Sequence, residues 1–433
     1  MLEAIGVDSI EDLWKTIPEE LRLQSKLNLP PGLPEPDLLR HMKKMSEQNA
    51  DVERFPSFLG AGAYNHFIPS VVNHLASQSG FYTAYTPYQP EVSQGILQTI
   101  FEFQSYVTLL TGLDVANASM YDGPSAVAEA VLMAKRVTKR NEVLVPRNTH
   151  PEYRKVIETY IRDLDMETVN IPYLESGLID YDAVKKALND NTAALVAQSP
   201  NFFGCVETPE AISQALRENC SLLIQTTSDA LSLAVLKSPG ECGADIFAGE
   251  GQSFGNPLSF GGPYVGLFAA KKDFIRNMPG RLVGETVDKK GKRGYVLTLS
   301  TREQHIRRDK ATSNICSNQS LCAIRSAIYL STLGKNGLRG LALMNMKKTA
   351  YALKKITSIH GYDALFSSPV FNEFAISTPI PSAEINKVLQ KKGITGGFSL
   401  EEDYPELGNA MLFCATETTR KEDIDRMVET LPR

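Results

Sequence analysis

Four short runs of wholly apolar residues, Val143–Val145, Ala193–Ala197, Leu222–Ile224 and Ile246–Ala248, narrow the folds open to this chain more than any other feature. A strand that is apolar on both faces must be covered on both faces. Helical stretches near 151–164, 180–188 and 208–218 separate the first three runs. Strands alternating with helices meet that need as a mostly parallel sheet sandwiched between helices. Two further helices precede the runs. Gln94–Thr111 repeats apolar residues at Ile96, Leu97, Ile100, Phe103 and Val107, and Pro124–Thr138 at Ala126, Val127, Ala130, Val131 and Ala134. The expectation is an α/β domain.

The flanking segments read differently. Ser9 and Asp12 approach a capping-box pattern for a short helix through Trp14. Leu29–Pro36 is too rich in proline to be helical, and Asp37 opens a second helix to about Gln48. Residues 1–60 are therefore expected as an N-terminal arm and 61–334 as the large domain. Arg281–Ser300 reads as a hairpin turning around Lys289–Arg293, and a helix starts near Asn318. Past Gly334 come a long helix from Leu338, a strand at Phe371–Ser377, a helix at Ala383–Lys391, a strand at Met411–Ala415 and a helix from Lys421. Residues 335–433 are expected as a small C-terminal α+β domain.

Charge and cysteine usage exclude several functions. The 45 basic and 50 acidic residues are spread along the chain for a net charge of −5, so no basic footprint for nucleic acid exists. No apolar run reaches the length of a membrane span. The acidic start argues against a secretory or transit peptide. Six cysteines show no metal-like spacing and are expected as reduced, buried thiols in a cytoplasmic protein.

Chemistry enters at a few places. Asp122-Gly-Pro-Ser125 precedes a strongly periodic helix, whose free amides make an anion site at Gly123 and Ser125 or merely a well-capped start. Phe81–Gly95 is dense in aromatic and hydroxyl groups with no helix or strand period before Pro90. Together with Leu113–Ala118, Gln198–Gly204 and the sixteen-residue run Thr301–Cys316, this segment resembles the P-protein of the glycine cleavage system, in its form split between two polypeptides. The resemblance spans nearly the whole chain, and its narrower match is to the first of the two subunits.

That resemblance implies a fold-type-I architecture of pyridoxal-phosphate enzymes. It implies a reaction in which glycine condenses with the cofactor, loses its carboxylate as CO2 and passes its aminomethyl group to the lipoyl arm of the H-protein. It also implies a link to the aminomethyltransferase and dihydrolipoamide dehydrogenase components. A chain that anchors the cofactor needs a lysine, a carboxylate at the pyridine nitrogen and donors around the phosphate. Here Gly251-Gln-Ser-Phe254 places Gln252 at the lysine position, with Ser253 there if the register slips by one. Thr226, seventeen residues before Gly243-Ala-Asp245, stands at the aspartate position, with Asp229 nearby as the alternative. Only the vestigial phosphate-type start at Gly123 and Ser125 survives.

The resemblance therefore implies a homologous subunit that bears the pyridoxal phosphate, with none held covalently here. A non-catalytic regulatory or scaffolding protein that binds a phosphate ligand is the alternative. Tyr82, Thr83, Tyr85, Thr86, Tyr88 and Gln89 are candidates for an interface or an active-site entrance. His66, in a glycine-rich Tyr-Asn segment, and Arg307 and Arg308 join them. Arg302 and Lys310 complete a cluster of four cations, and Lys271 and Lys272 read as the solvated end of a strand.

Overall fold

The computed structural model of the chain describes residues 1–23 and 25–433. They form two compact units, Met1–Asp51 and Val52–Arg433. The first holds a helix at Leu2–Ile5, single 3-10 turns at Glu11–Trp14 and Glu19–Leu21, and a helix at Glu35–Ser46. Ser9 and Asp12 exchange the expected reciprocal bonds, Ser9 N to Asp12 Oδ2 at 2.9 Å and Asp12 N to Ser9 Oγ at 3.3 Å. The second helix opens ahead of Asp37 because Pro36 is tolerated in a first turn. None of these elements contains a buried residue, and Trp14, Leu21, Leu39 and Met42 are all exposed.

The second unit is built on a seven-stranded sheet. Its strands are β1 (Val115–Ala116), β2 (Glu142–Pro146), β3 (Glu167–Ile171), β4 (Thr192–Gln198), β5 (Leu222–Thr226), β6 (Ile246–Glu250) and β7 (Gly266–Ala270). They lie in the order β1-β7-β6-β5-β4-β2-β3, parallel from β6 to β3, with β7 and β1 antiparallel at one side. Every residue of β2, β4, β5, β6 and β7 is buried. Alternate side chains go to opposite faces: Val143, Val196, Ile224 and Ala248 pack under the helix Gly123–Thr138, whereas Leu144, Leu195 and Leu223 meet Ile212 and Leu216. On that second face Phe247 and Leu267 meet Phe103 and Val107 of the helix Gln94–Thr111. The fold-type-I expectation of a mostly parallel, doubly covered sheet is met.

β3 has no counterpart in the sequence reading. It is an edge strand, Glu-Thr-Val-Asn-Ile, mostly uncovered and so lacking an apolar run. The expected hairpin is β8 (Leu282–Val287) with β9 (Arg293–Thr298), its turn organised by Asp288, which accepts from the amides of Lys290 and Lys292. The helices expected near Asn318 and Leu338 form one run, Ser320–Ile356, broken at Gly334, whose φ of 58° leaves the right-handed helix. A second sheet follows: β10 (Asp363–Ala364), β11 (Glu373–Ser377), β12 (Phe398–Ser399) and β13 (Ala410–Cys414), antiparallel in the order β10-β11-β13-β12. Helices Ser382–Lys391 and Lys421–Thr430 close its core through Ile385, Leu389, Ile424 and Met427. All six cysteines are free, but Cys220 and Cys316 are exposed rather than buried. Among the described residues no helix is long and apolar enough to cross a membrane.

Candidate functional site

Parallel strands present their carboxyl ends at one edge of the sheet, the place where open α/β folds bind ligands. Here that edge gathers His150 beyond β2, Gln198 at the end of β4, Thr226 to Asp229 at and beyond β5, and Glu250 to Gln252 at and beyond β6. Each residue that the sequence assigns to cofactor binding lies in this group or beside it.

The phosphate-type start is capped from within. Asp122 accepts from Ser125 N at 2.8 Å and donates its own amide to Ser125 Oγ at 3.3 Å, a complete capping box. Gly123 N donates to Glu250 Oε2 at 2.9 Å. Glu250 Oε1 accepts from Gln252 N at 2.9 Å and Val265 N at 3.3 Å. Burial pushes the Glu250 carboxyl up to about 8, against those backbone donors that favour its charge. The amides that would receive a phosphate thus already meet two carboxyl groups of this chain.

Gln252, which the sequence reading assigns to the lysine position, has its side chain buried and hydrogen-bonded through both its oxygen and its nitrogen. Its Oε1 accepts from Tyr64 N at 3.1 Å, and its Nε2 donates to Tyr64 O at 3.0 Å and Asn256 O at 2.7 Å. Ser253, the alternative one residue on, accepts from Leu231 N at 3.2 Å. Thr226 is completely buried and its Oγ1 has no hydrogen-bond partner. Asp229, the alternative carboxylate, is committed elsewhere: Oδ1 accepts from Leu231 N, and Oδ2 from Asn372 Nδ2 at 2.8 Å. The same Oδ2 lies 3.1 Å from His66 Nε2.

Of the interface or entrance candidates, His66 is the one that lies in this group. Its Nδ1 lies 2.9 Å from Glu417 Oε2, so the ring is held between two buried carboxylates. Burial opposes the imidazolium, but Asp229 and Glu417 together outweigh it and push the pKa up to about 10. Next to it Tyr64, 1% exposed, donates its hydroxyl to Glu373 Oε2 at 2.7 Å and lies 3.0 Å from Ser228 Oγ. Burial raises the Glu373 carboxyl to about 7.

The residues collected here do not fit pyridoxal phosphate. No amine stands at position 252, Thr226 offers no charge for a pyridine nitrogen, and the helix start is already satisfied by Asp122 and Glu250. Lys271 pairs with Asp245 at 2.5 Å on the strand's solvated end, and Lys272 is exposed.

The entrance candidates lie elsewhere on the same unit and on its surface. Tyr82, Thr83, Tyr85, Tyr88 and Gln89 are exposed and Thr86 is half-buried. Arg307 and Arg308 are exposed, whereas Arg302 turns inward to the carbonyls of Met278 and Gly280. Sequence reasoning missed Arg281, which joins the two motifs. Its buried guanidinium donates to Tyr88 Oη at 2.9 Å and Cys316 O at 2.8 Å, and lies over the Tyr88 ring. It also missed Tyr64, His150, Glu250, Glu373 and Glu417. Tyr64 was within reach, two residues before His66 in the same glycine-rich segment.

The family described as Glycine cleavage system P-protein matches residues 1–431. A probable glycine dehydrogenase (decarboxylating) subunit 1 from Desulfitobacterium hafniense is 53% identical over 428 residues, covering 99% of this chain and 96% of that protein. One from Listeria monocytogenes is 51% identical over 434 residues, covering 100% of this chain and 96% of that protein. Among solved structures, a glycine decarboxylase (P-protein) of the glycine cleavage system in inhibitor-bound form superposes with a TM-score of 0.90 at 41% identity. It covers 99% of this chain and 96% of its own. A glutamate decarboxylase from Lactobacillus brevis shares the fold alone, with a TM-score of 0.71 at 10% identity, covering 95% and 94%.

Proposed function

The chain belongs to the glycine cleavage system P-protein family, and on that premise we propose that it is the half of a two-chain glycine decarboxylase that works without a cofactor of its own. It is a glycine decarboxylase subunit of the fold-type-I class. Its homologous partner holds the pyridoxal phosphate, which supplies the electron sink for decarboxylation. The assembled enzyme passes the aminomethyl group to the lipoylated H-protein. The single observation that carries this reading is Gln252. It is an amide where a Schiff-base amine is needed, and its oxygen and both amide protons are bonded to Tyr64 and Asn256.

In this division of labour residues 1–60 are an arm for the partner, 61–334 the body and 335–433 the small domain. The apolar side chains exposed along the arm support a large obligate interface, roughly 2,000–5,000 Å². Tyr82, Tyr85 and Tyr88, with Arg307 and Arg308, form the side that faces the partner's active-site entrance. The donors occupied by Asp122 and Glu250 weigh against the alternative of a phosphate-binding scaffold. To test the reading, purify this chain, its partner and the co-expressed pair, then assay glycine-dependent CO2 release in each. Only the pair should sustain turnover with the H-protein, and release by this chain alone would end the reading.

A further inference from the structure

The segment Gly60–Phe67 crosses the carboxyl-end edge of the sheet, and Ala61, Tyr64, Asn65, His66 and Phe67 each find hydrogen-bond partners from distant parts of the chain. Ala61 N donates to Glu373 Oε1 at 2.5 Å, and Ala61 O receives His150 Nε2 at 2.9 Å. Tyr64 bonds Gln252 through both its backbone groups and Glu373 through its hydroxyl. Asn65 O accepts from the hydroxyls of Thr416 and Thr418, at 2.6 and 2.9 Å. His66 sits between Asp229 and Glu417, and Phe67 N donates to Glu417 Oε1 at 2.6 Å. The path is also sterically close. A Cβ on Gly60 would strike Glu373, and one on Gly62, whose φ is 102°, would strike the His150 ring.

We infer that Gly60–Phe67 is a built-in occupant of the cofactor crevice, clamped by Gln252, and that this segment closes the chain to pyridoxal phosphate independently of the missing lysine. The inference rests on the proposed absence of cofactor from this chain and goes further, because it says that restoring the amine will not restore binding. The parts of the crevice are filled separately. Glu250 gives its carboxyl to the helix start at Gly123, where a phosphate would seek amides. The Tyr64 and His66 side chains are buried at the carboxyl end of β5. The Gln252 amide both donates to and accepts from a single residue of the segment, a geometry that neither lysine nor an ionised glutamate can reproduce.

This closure is a statement about populations. A crevice open about one hundredth of the time weakens apparent affinity about a hundredfold. The test uses the full-length chain: wild type, Gln252→Lys, and Gln252→Lys combined with Tyr64→Gly. Each is incubated with pyridoxal phosphate, reduced with borohydride and mapped by peptide mass. Wild type should carry no stoichiometric label. The single variant should stay nearly unlabelled at position 252, and the double variant should gain label there severalfold. Stoichiometric labelling of the single variant overturns the closure while leaving the cofactor-free reading of wild type intact. Stoichiometric labelling of wild type overturns that reading instead. A folded double variant that stays blank overturns the closure as well. Should the double variant fail to fold, amide exchange of the wild type decides. The amides of Ala61, Tyr64 and Phe67 should exchange as slowly as those of β4 and β5, and exchange at the rate of the exposed 83–85 stretch overturns the inference.

Discussion

Gln252 and Tyr64, 188 residues apart, are joined by two hydrogen bonds, Tyr64 N to Oε1 at 3.1 Å and Nε2 to Tyr64 O at 3.0 Å. The pair makes Gln252, the residue the sequence reading assigns to the lysine position, a structural clamp on the segment of Tyr64. Gln252→Leu should leave the Tyr64 amide and carbonyl and the Asn256 carbonyl buried without partners, each at a cost of about 1–3 kcal/mol. Gln252→Glu should be worse near neutral pH, because it sets a carboxylate against two carbonyls that need donors. Thermal unfolding of the three chains should rank wild type, then Gln252→Leu, then Gln252→Glu. A Gln252→Glu protein as stable as wild type would contradict the clamp.

Three buried ionisable groups of the crevice make stability fall as pH rises, whereas His150, whose pKa burial lowers, works in the opposite sense at acid pH. His66 is raised to about 10, Glu373 to about 7 and Glu250 to about 8. A group whose pKa rises on folding stabilises fully below its unfolded value and loses that contribution as pH climbs through its folded value. The loss therefore runs from about 4.5 to 8 for the two carboxyls and from about 6.5 to 10 for the imidazole. The melting temperature should fall across this range, and Glu373→Gln should flatten the lower part of the fall. A melting temperature that climbs steadily with pH over the same interval would show that the charges are assigned wrongly.

His66→Ala removes the cation between Asp229 and Glu417 and leaves two carboxylates facing each other in the interior. Breaking a buried charge group this way costs about 3–5 kcal/mol. The loss should shrink when Asp229→Asn accompanies it, since the amide removes one of the stranded charges. A double-mutant cycle on melting temperatures reads the coupling, and strict additivity would mean that the three groups do not act as one cluster.

Much of the fold could be read along the chain. The helix Gln94–Thr111 has the bounds its apolar spacing suggested, and the four central strands enclose the four apolar runs. Those elements are buried on continuous faces, and burial leaves a period. The edge strand β3 escaped because it is only half covered. The crevice escaped for a different reason: His66 finds Asp229 163 positions away and Glu417 351 away. Contacts at such separations leave no local pattern, so nothing along the chain pointed to the segment that hydrogen-bonds Gln252.

Arg281 holds Tyr88 against Cys316 and so couples the aromatic loop to the run from Thr301. Arg281→Met should keep the sheet intact while raising protease cleavage within residues 81–90. Arg307→Ala and Arg308→Ala, exposed in the middle of that run, should leave the unfolding free energy within about 0.5 kcal/mol of wild type. Both should lower turnover of the assembled enzyme without changing its pyridoxal phosphate content. Wild-type turnover in both would reduce these arginines to ordinary surface.

The measurement that bears most directly on the division of labour is a cofactor map of the assembled enzyme. The co-expressed pair, reduced with borohydride in its resting state and digested, should yield pyridoxyl-lysine in peptides of the partner alone, with Gly251–Phe254 and Lys271 of this chain unmodified. A stoichiometric pyridoxyl-lysine anywhere in this chain would contradict the account.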